Sequence, residues 1–230
     1  MKLIIFDIDG TLVYSDKKDS QCFADTYQEV YQVPFPSIDW STYPHVVDDV
    51  IFKEVIQNHF SRIPDQQEID NFQSLFAQKI QEKRYRQPHD FLEVPGAKQM
   101  IDHLLKHPNF VVGIGTGGWL QPAKIKLRHV GIPEQKLILS AADQQVSREG
   151  ILQYAIDQAQ QAYEQFEQIV YIGDALWDVR TTRNMQLDFI GIRRRNDVAF
   201  LQNAGATQVF ANYLQPNQFL KAIDQAQPPL

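Results

Sequence analysis

The hydrophobic pattern along the chain predicts buried strands separated by amphipathic helices. Five short apolar runs, rich in Val and Ile, do not alternate with polar residues, and such runs are typical of parallel strands covered on both faces. They comprise residues 3–6, 110–114, 137–139, 169–172 and 189–192. From residue 96 onward, the runs alternate with segments whose apolar residues recur every three or four positions. We therefore predict an α/β fold with a doubly wound parallel sheet.

Signals for helix ends support this alternation. Pro95 leads into an apolar stripe over residues 97–105, and Pro122 is expected to open the next helix. Gly131 is expected to end that second helix, because glycine readily leaves the helical conformation. Ser147 is a candidate cap for a third helix.

Residues 14–91 carry a different pattern, with three amphipathic stretches and no strand signal between them. The apolar helical positions fall within residues 23–31, 47–56 and 69–80. Asp65 followed by Glu68 resembles a capping box at the start of the last stretch. We therefore predict an all-helical cap domain over residues 14–91, inserted into a core domain made of residues 1–13 and 92–230.

Composition and charge narrow the class of protein. The chain has 230 residues, enough for one sizeable core with a large insertion, and 43% of them are hydrophobic. The net charge of −6 argues against long-range attraction to nucleic acids or anionic membranes. The first apolar run ends at Asp7, too early for a secretion signal or a membrane span, and we expect a cytoplasmic protein. A single cysteine, Cys22, excludes an internal disulfide.

Polar side chains follow three of the predicted strands. Asp7 follows the first run, Thr116 lies just after the second, and Asp174 lies just after the fourth. Because ligands bind beyond the carboxyl ends of strands in open α/β sheets, we expect these residues to share one crevice. Asp9 lies on the same side of an extended backbone as Asp7, and Asp178 follows Asp174 by about one helical turn.

Up to four carboxylates would then lie in one cleft. Two unit charges about 5 Å apart repel by roughly 3 kcal/mol at an effective dielectric constant near 20. A bound divalent cation would offset this repulsion. Ligation by oxygen atoms alone favours a hard ion such as Mg²⁺, which also suits a substrate that carries phosphate. We therefore predict a Mg²⁺ site formed by Asp7, Asp9, Asp174 and Asp178.

Three segments resemble the motifs of a known enzyme family. The segments "FDIDGTLV", "GIGTGG" and "VYIGDALWDV" resemble the first, second and fourth motifs of the haloacid dehalogenase-like hydrolase superfamily. The segment "VPGAKQMIDHLL" resembles the stretch that leads from cap to core in its phosphoglycolate-phosphatase-like members. The order of the three motifs along the chain makes the likeness specific.

The resemblance implies a role for each carboxylate. Asp7 would attack the substrate phosphorus and form an aspartyl-phosphate. Asp9 would protonate the leaving alcohol and later deprotonate the water that hydrolyses the intermediate. Mg²⁺ would be held by Asp7, Asp174 and the backbone carbonyl of Asp9, with Asp178 as a further ligand or a support behind the ligands.

The resemblance also implies a set of residues that bind the phosphate group. The chain departs from the family pattern at two of these positions. Thr116 and nearby backbone N–H groups, including that of Gly117, would bind the phosphoryl oxygens. The commoner Asn of the second motif is replaced by Gly117 and Gly118. The third motif is normally a lysine, often followed by proline, and the best candidate is Arg148 in "VSREGIL". Arginine can bind phosphate oxygens bidentately, but it does not simply replace lysine.

The resemblance favours chemistry at phosphorus over chemistry at carbon. Dehalogenating members need no metal and usually lack the second acid, whereas Asp9 is present here. We therefore predict a Mg²⁺-dependent phosphomonoesterase that acts on a small phosphorylated metabolite. A phosphomutase or phosphotransferase of the same fold is an alternative, as is a non-catalytic phospholigand-binding protein. The oligomeric state stays open.

Residues of the predicted cap domain are weaker candidates for substrate contact. Tyr43 and His45 lie in "STYPHVVDD", between two predicted helices, and are candidates for substrate binding. A lone histidine in a loop is more often a surface residue. Trp119, which follows the second motif, is a candidate wall of the leaving-group pocket or a packing residue.

Overall fold

A six-stranded parallel sheet forms the centre of the fold in the computed structural model, which describes residues 1–163, 165–194 and 197–230. In chain order the strands are β1 (Lys2–Phe6), β2 (Val13–Tyr14), β3 (Leu92–Glu93), β4 (Phe110–Gly115), β5 (Ile138–Ser140), β6 (Gln168–Gly173), β7 (Asp188–Ile192) and β8 (Val209–Phe210). Strands β2 and β3 form a separate two-stranded ribbon, and the other strands form the sheet. The order across the sheet is β5-β4-β1-β6-β7-β8, and each neighbouring pair is parallel. The predicted doubly wound α/β fold is confirmed.

Helices connect these strands as the apolar spacing predicts. They are α1 (Asp16–Tyr31), α2 (Asp48–Phe60), α3 (Gln66–Arg86), α4 (Ala97–Lys106), α5 (Leu120–His129), α6 (Arg148–Tyr163), α7 (Leu176–Met185), α8 (Ala199–Gln202) and α9 (Pro216–Gln225). Helix α5 begins two residues before Pro122, since proline is tolerated in the first turn. The hydroxyl of Ser147 accepts a hydrogen bond from the N–H of Gly150 at 3.0 Å, as expected for a cap. Among the described residues, none of these helices has the length and apolarity needed to cross a membrane.

Helices α1 to α3, which we term the inserted helices, lie between β1 and β4 in the chain. The chain enters and leaves this segment through an antiparallel ribbon in which Val13 pairs with Glu93 and Tyr14 pairs with Leu92. The predicted domain boundaries fall on this ribbon. The division into a cap domain and a core domain stays a prediction.

The cap of α3 differs in part from the predicted capping box. The Asp65 carboxylate accepts a hydrogen bond from the N–H of Glu68 at 2.9 Å, as expected. The Glu68 side chain instead accepts hydrogen bonds from Tyr31 at 2.6 Å and from Arg62 at 2.6 and 2.7 Å. Glu68 therefore links α3 to α1 and to the loop before α3.

Trp119 joins the inserted helices to the sheet. Its side chain is fully buried, and its ring stacks on Phe23 of α1 with the ring centroids 5.5 Å apart. It also contacts Phe52 of α2 and both Phe72 and Phe76 of α3, with centroid separations of 6.1, 5.8 and 6.1 Å. Trp119 is therefore a packing residue, and it does not line the cavity described below.

We expect Trp119→Ala to lower the free energy of unfolding by about 3–5 kcal/mol, because it leaves a large cavity among aromatic rings. Urea denaturation followed by circular dichroism measures this loss. Tyr85→Ala is the control, since Tyr85 is 72% exposed and its removal should change stability by about 0.5 kcal/mol or less. A loss in Trp119→Ala no larger than that of the control would contradict the packing role.

Candidate active site

The carboxyl ends of three adjacent strands bring the predicted site residues together. Strand β1 lies between β4 and β6. Asp7 follows β1, Thr116 follows β4 and Asp174 follows β6. All three residues line one cavity of about 760 Å³. Helices α1 and α2 and the loop between them also line this cavity.

Three carboxylates lie close enough to hold a metal ion. Asp7, Asp174 and Asp178 each offer an oxygen atom, and these atoms lie within 4.8 Å of one another. Gly10 has a φ of +83°, and a Cβ at this position would lie 2.2 Å from Oδ2 of Asp174. A glycine is therefore required for the loop after β1 to approach Asp174. A cluster of carboxylate oxygens fits a hard divalent cation such as Mg²⁺.

The Asp178 carboxylate is occupied by hydrogen bonds from four groups. Oδ2 accepts the backbone N–H groups of Asp174 at 3.1 Å and Ala175 at 3.0 Å. Oδ1 accepts hydrogen bonds from Arg148 and, at 3.3 Å, from the hydroxyl of Tyr171. These contacts fix the loop after β6, and Asp178 stays a candidate either as a ligand or as a support for Asp174.

Arg148 lies beside Asp7. Its side chain is buried at the start of α6, and Nη2 lies 3.5 Å from Oδ1 of Asp7. The same nitrogen donates to the Tyr171 hydroxyl at 2.9 Å and pairs with Asp178. An arginine therefore faces the expected nucleophile, and its equivalence to the family's third-motif lysine stays a prediction.

The electrostatic environment of Asp7 favours its protonated form. Burial raises the pKa of Asp7 to about 8, and the Arg148 guanidinium opposes this rise. The carboxylates of Asp178 and Asp9 also contribute to this raised pKa. A divalent cation held at the cluster would favour the ionised, nucleophilic form, because it adds positive charge next to the carboxylate.

Lys126 of α5 is a site residue that the sequence reasoning missed. Only 2% of it is exposed, and its Nζ lies 2.8 and 2.6 Å from the two carboxylate oxygens of Asp9 and 2.7 Å from Oδ1 of Asp19. Burial acts to lower the pKa of Lys126, but the carboxylates of Asp19 and Asp9 outweigh it and the pKa is raised. The sequence did carry one sign of this role, because Lys126 follows Ala123 by three residues and so falls on the apolar face of α5.

The side chain of Asp9 is directed toward this lysine. The Ser15 hydroxyl also donates a hydrogen bond to Oδ1 of Asp9. The Asp9 carboxylate is not among the oxygens that cluster with Asp7 and Asp174. Of the four predicted metal residues, Asp9 is therefore not placed to bind through its side chain, and binding through its backbone carbonyl stays what the family resemblance implies.

The loop after β4 explains why glycine follows Thr116. A Cβ on Gly117 would lie 2.3 Å from the carbonyl oxygen of Val46 and 2.6 Å from Nη1 of Arg148. The chain that leads into α2 therefore occupies the space of a side chain at this position. The Thr116 hydroxyl accepts the N–H of Gly118 at 3.2 Å, so it stabilises the loop that faces the cavity.

Asp48 fixes α2 to the same loop and was also missed. Its N–H donates to the carbonyl of Gly117 at 2.8 Å, and its Oδ2 accepts the N–H of Trp119 at 3.1 Å. Burial raises the pKa of Asp48 well above its ordinary value, and the nearby Asp19 carboxylate adds to this rise. Helix α2 is therefore hydrogen-bonded directly to the loop that is expected to bind phosphate.

Tyr43 and His45 lie away from the cavity. Tyr43 packs against Phe35 and Trp40, and its hydroxyl donates to the carbonyl of Ser37 at 3.1 Å. His45 is exposed, and neither residue is among those that line the cavity. The structure therefore gives no support to substrate contact by these two residues. On this side the cavity wall contains Lys17, Gln21, Ile38, Trp40 and Asp48.

A family model settles the class of the chain. The model for haloacid dehalogenase-like hydrolases matches residues 4–192. The chain belongs to the haloacid dehalogenase-like hydrolase family. The membership expected from the three sequence motifs is confirmed, and the roles of Asp7, Thr116 and Asp174 stay predictions.

Solved structures of similar fold agree with this membership. A hydrolase from Pseudomonas syringae is 20% identical with a TM-score of 0.72, and the match covers 97% of this chain and 99% of that one. CbbY from Rhodobacter sphaeroides, in complex with phosphate, is 16% identical with a TM-score of 0.66, over 93% and 95% of the two chains. A predicted phosphoglycolate phosphatase from Haemophilus somnus is 16% identical with a TM-score of 0.63, over 96% and 98%. None of the curated proteins compared with the chain matches it. At these identities, the structures establish the shared fold only.

Proposed function

We propose that the chain is a Mg²⁺-dependent phosphomonoesterase that hydrolyses a small organic phosphate through an aspartyl-phosphate on Asp7. The observation that carries this proposal is the position of Asp7 at the end of β1. Its carboxylate opens onto the cavity, lies in the acidic cluster with Asp174, and is 3.5 Å from the guanidinium of Arg148. These positions support Asp7 as the nucleophile, the acidic cluster as the metal position and Arg148 as the cation that binds phosphate.

The proposed metal ligands are Asp7, Asp174 and the backbone carbonyl of Asp9. Asp178 would hold the Asp174 loop through the hydrogen bonds described above. When bound, Mg²⁺ would reduce the repulsion between the Asp7 carboxylate and an anionic phosphate and polarise the phosphoryl oxygens.

The side chains around Asp7 support a two-step reaction. Asp7 attacks phosphorus while the bond to the leaving oxygen breaks, and Asp9 gives its proton to that oxygen. Asp9 then takes a proton from a water molecule, which attacks the aspartyl-phosphate and releases inorganic phosphate. Arg148, the Thr116 hydroxyl and the N–H of Gly117 would hold the phosphoryl oxygens during both steps.

The shape of the cavity supports a small substrate. A volume of about 760 Å³ lies within the range of roughly 300–1,000 Å³ that is usual for small-molecule pockets. The indole rings of Trp40 and Trp177 provide apolar surface, and Gln21 and Asp48 provide polar groups. The hydrogen bonds between Asp48 and the loop after β4 hold the inserted helices over the site, which disfavours a folded protein as substrate.

We expect the wild-type protein to release inorganic phosphate from members of a panel of metabolite phosphates. Chelation with EDTA should abolish this release, and added Mg²⁺ should restore it, because the acidic cluster needs a cation to accept an anionic substrate. A malachite-green phosphate assay with and without chelator measures both effects.

Other outcomes of this screen would favour the alternatives. Transfer of phosphate to an added sugar without release of inorganic phosphate would indicate a phosphomutase or phosphotransferase. Binding of phosphate compounds without any turnover would indicate a non-catalytic phospholigand-binding protein. Release that is insensitive to chelator would contradict the proposed role of the metal.

A further inference from the structure

Lys126 connects three parts of the molecule through one ammonium group. It lies on α5, Asp9 lies in the loop after β1, and Asp19 lies on α1. The Nζ of Lys126 is 2.8 and 2.6 Å from the oxygens of Asp9 and 2.7 Å from that of Asp19. The lysine is therefore shared between the expected proton-transfer residue and the first inserted helix.

Because Lys126 is buried, its contacts with Asp9 and Asp19 replace water as the solvation of its charge. A lysine that is 2% exposed has little water to solvate its charge, so the two carboxylates must supply that solvation. Conversely, without the ammonium the carboxylates of Asp9 and Asp19 would face each other as like charges. The lysine thus determines where the Asp9 carboxylate lies and keeps it beside the cavity that both aspartates line.

We propose that Lys126 is a positioning residue for proton transfer by Asp9, and that Asp19 of α1 holds the lysine in place. This inference rests on the proposed phosphatase function. When the bond between phosphorus and the leaving oxygen breaks and phosphorus bonds to Asp7, a proton moves from Asp9 to that oxygen. Asp9 becomes a carboxylate, which Lys126 stabilises, and it regains a proton from the water that attacks the aspartyl-phosphate.

The role of Lys126 can be separated from general stability by comparing two substrates of similar shape. 4-Nitrophenyl phosphate has a good leaving group that needs little protonation, whereas phenyl phosphate releases a much weaker acid. The ratio of kcat/KM for these substrates reports on proton donation, because kcat/KM covers the steps up to departure of the leaving group. We expect Lys126→Met to lower kcat/KM about 10²-fold for phenyl phosphate and less than about 10-fold for 4-nitrophenyl phosphate.

A double variant tests whether Lys126 acts through Asp9. Asp9→Asn alone should show the same dependence on the leaving group. Adding Lys126→Met to Asp9→Asn should then cost little more, because residues that act as a unit are strongly non-additive. Lys124→Met is the matched control, since Lys124 lies on the same helix but makes neither contact, and it should leave both substrates unaffected.

Asp19→Asn keeps the inference testable even where Lys126→Met fails to fold. It retains the pair between Lys126 and Asp9 and nearly the same side-chain volume. We expect it to change the substrate ratio in the same direction by about 3–10-fold. Equal losses for both substrates in the Lys126 and Asp19 variants would overturn the positioning role while leaving the proposed function intact. A wild-type protein that releases phosphate neither from these two compounds nor from the metabolite panel would overturn the proposed function and this inference with it.

Discussion

Asp7→Asn is expected to lower kcat for phosphate release by at least about 10³-fold, the largest loss among single substitutions in this chain. Asparagine preserves the size of the side chain and its position at the end of β1. It lacks the carboxylate that must bond to phosphorus, and it removes one negative charge from the acidic cluster. Steady-state phosphate release, measured with the best substrate of the metabolite panel, gives the effect.

The control for this substitution is Asp157→Asn. Asp157 is exposed on α6 and accepts a hydrogen bond from Gln153, so its loss should leave kcat unchanged. Acid quenching during turnover should trap phosphate on the wild-type protein and none on Asp7→Asn. Near-wild-type turnover by Asp7→Asn would exclude Asp7 as the nucleophile and remove the basis of the proposed mechanism.

The same substitution has an expected effect on stability in metal-free protein. Burial raises the pKa of Asp7 from 3.8 to about 8, so the folded state binds this proton more tightly than the unfolded state does. The stabilising contribution of protonated Asp7 is fully present below pH 3.8 and is lost as the pH rises to about 8. With EDTA present, wild-type Tm should therefore fall relative to that of Asp7→Asn across this window. Parallel profiles for the two proteins would contradict the effect of burial.

The sheet and most helices could be predicted from the sequence because their signals are local. The predicted strands at residues 3–6 and 169–172 differ from β1 and β6 by no more than one residue at either end. Strand β8 was missed because it is only two residues long, and its pairing with β7 depends on contacts between distant parts of the chain. The ribbon of β2 and β3 was missed for the same reason.

The convergence of Asp7, Thr116 and Asp174 could be predicted because parallel strands carry their final residues to one edge. The contact between Lys126 and Asp9 could not be predicted, because 117 residues separate them in the chain and the local sequence around one residue carries no information about the other. The positions of Tyr43 and His45 depend on the path of a loop, which has no periodic pattern to constrain it. Asp48 was missed because its contacts with Gly117 and Trp119 arise only when α2 packs on the loop after β4.

Arg148→Met is expected to lower kcat about 10²–10³-fold, because it removes the cation that faces both Asp7 and the expected phosphoryl position. The guanidinium lies 3.5 Å from Asp7 and also pairs with Asp178, which is fully buried. Loss of the arginine would leave Asp178 without its charged partner, at a cost of about 3–5 kcal/mol in the free energy of unfolding. Kinetic measurements must therefore be made well below the Tm of the variant.

Arg148→Lys decides whether the arginine serves as the family's usual lysine. An ammonium group keeps the positive charge beside Asp7 but loses the planar fork that also reaches Asp178 and Tyr171, so we expect a loss of only about 10-fold. Arg180→Met, at an exposed position on α7, is the control for loss of an arginine and should leave turnover unchanged. Since charge is retained in the lysine variant and absent in the methionine variant, the difference between them measures what the charge itself contributes. Near-wild-type turnover by Arg148→Met would show that another group neutralises the phosphoryl oxygens and that Arg148 serves the loop after β6 instead.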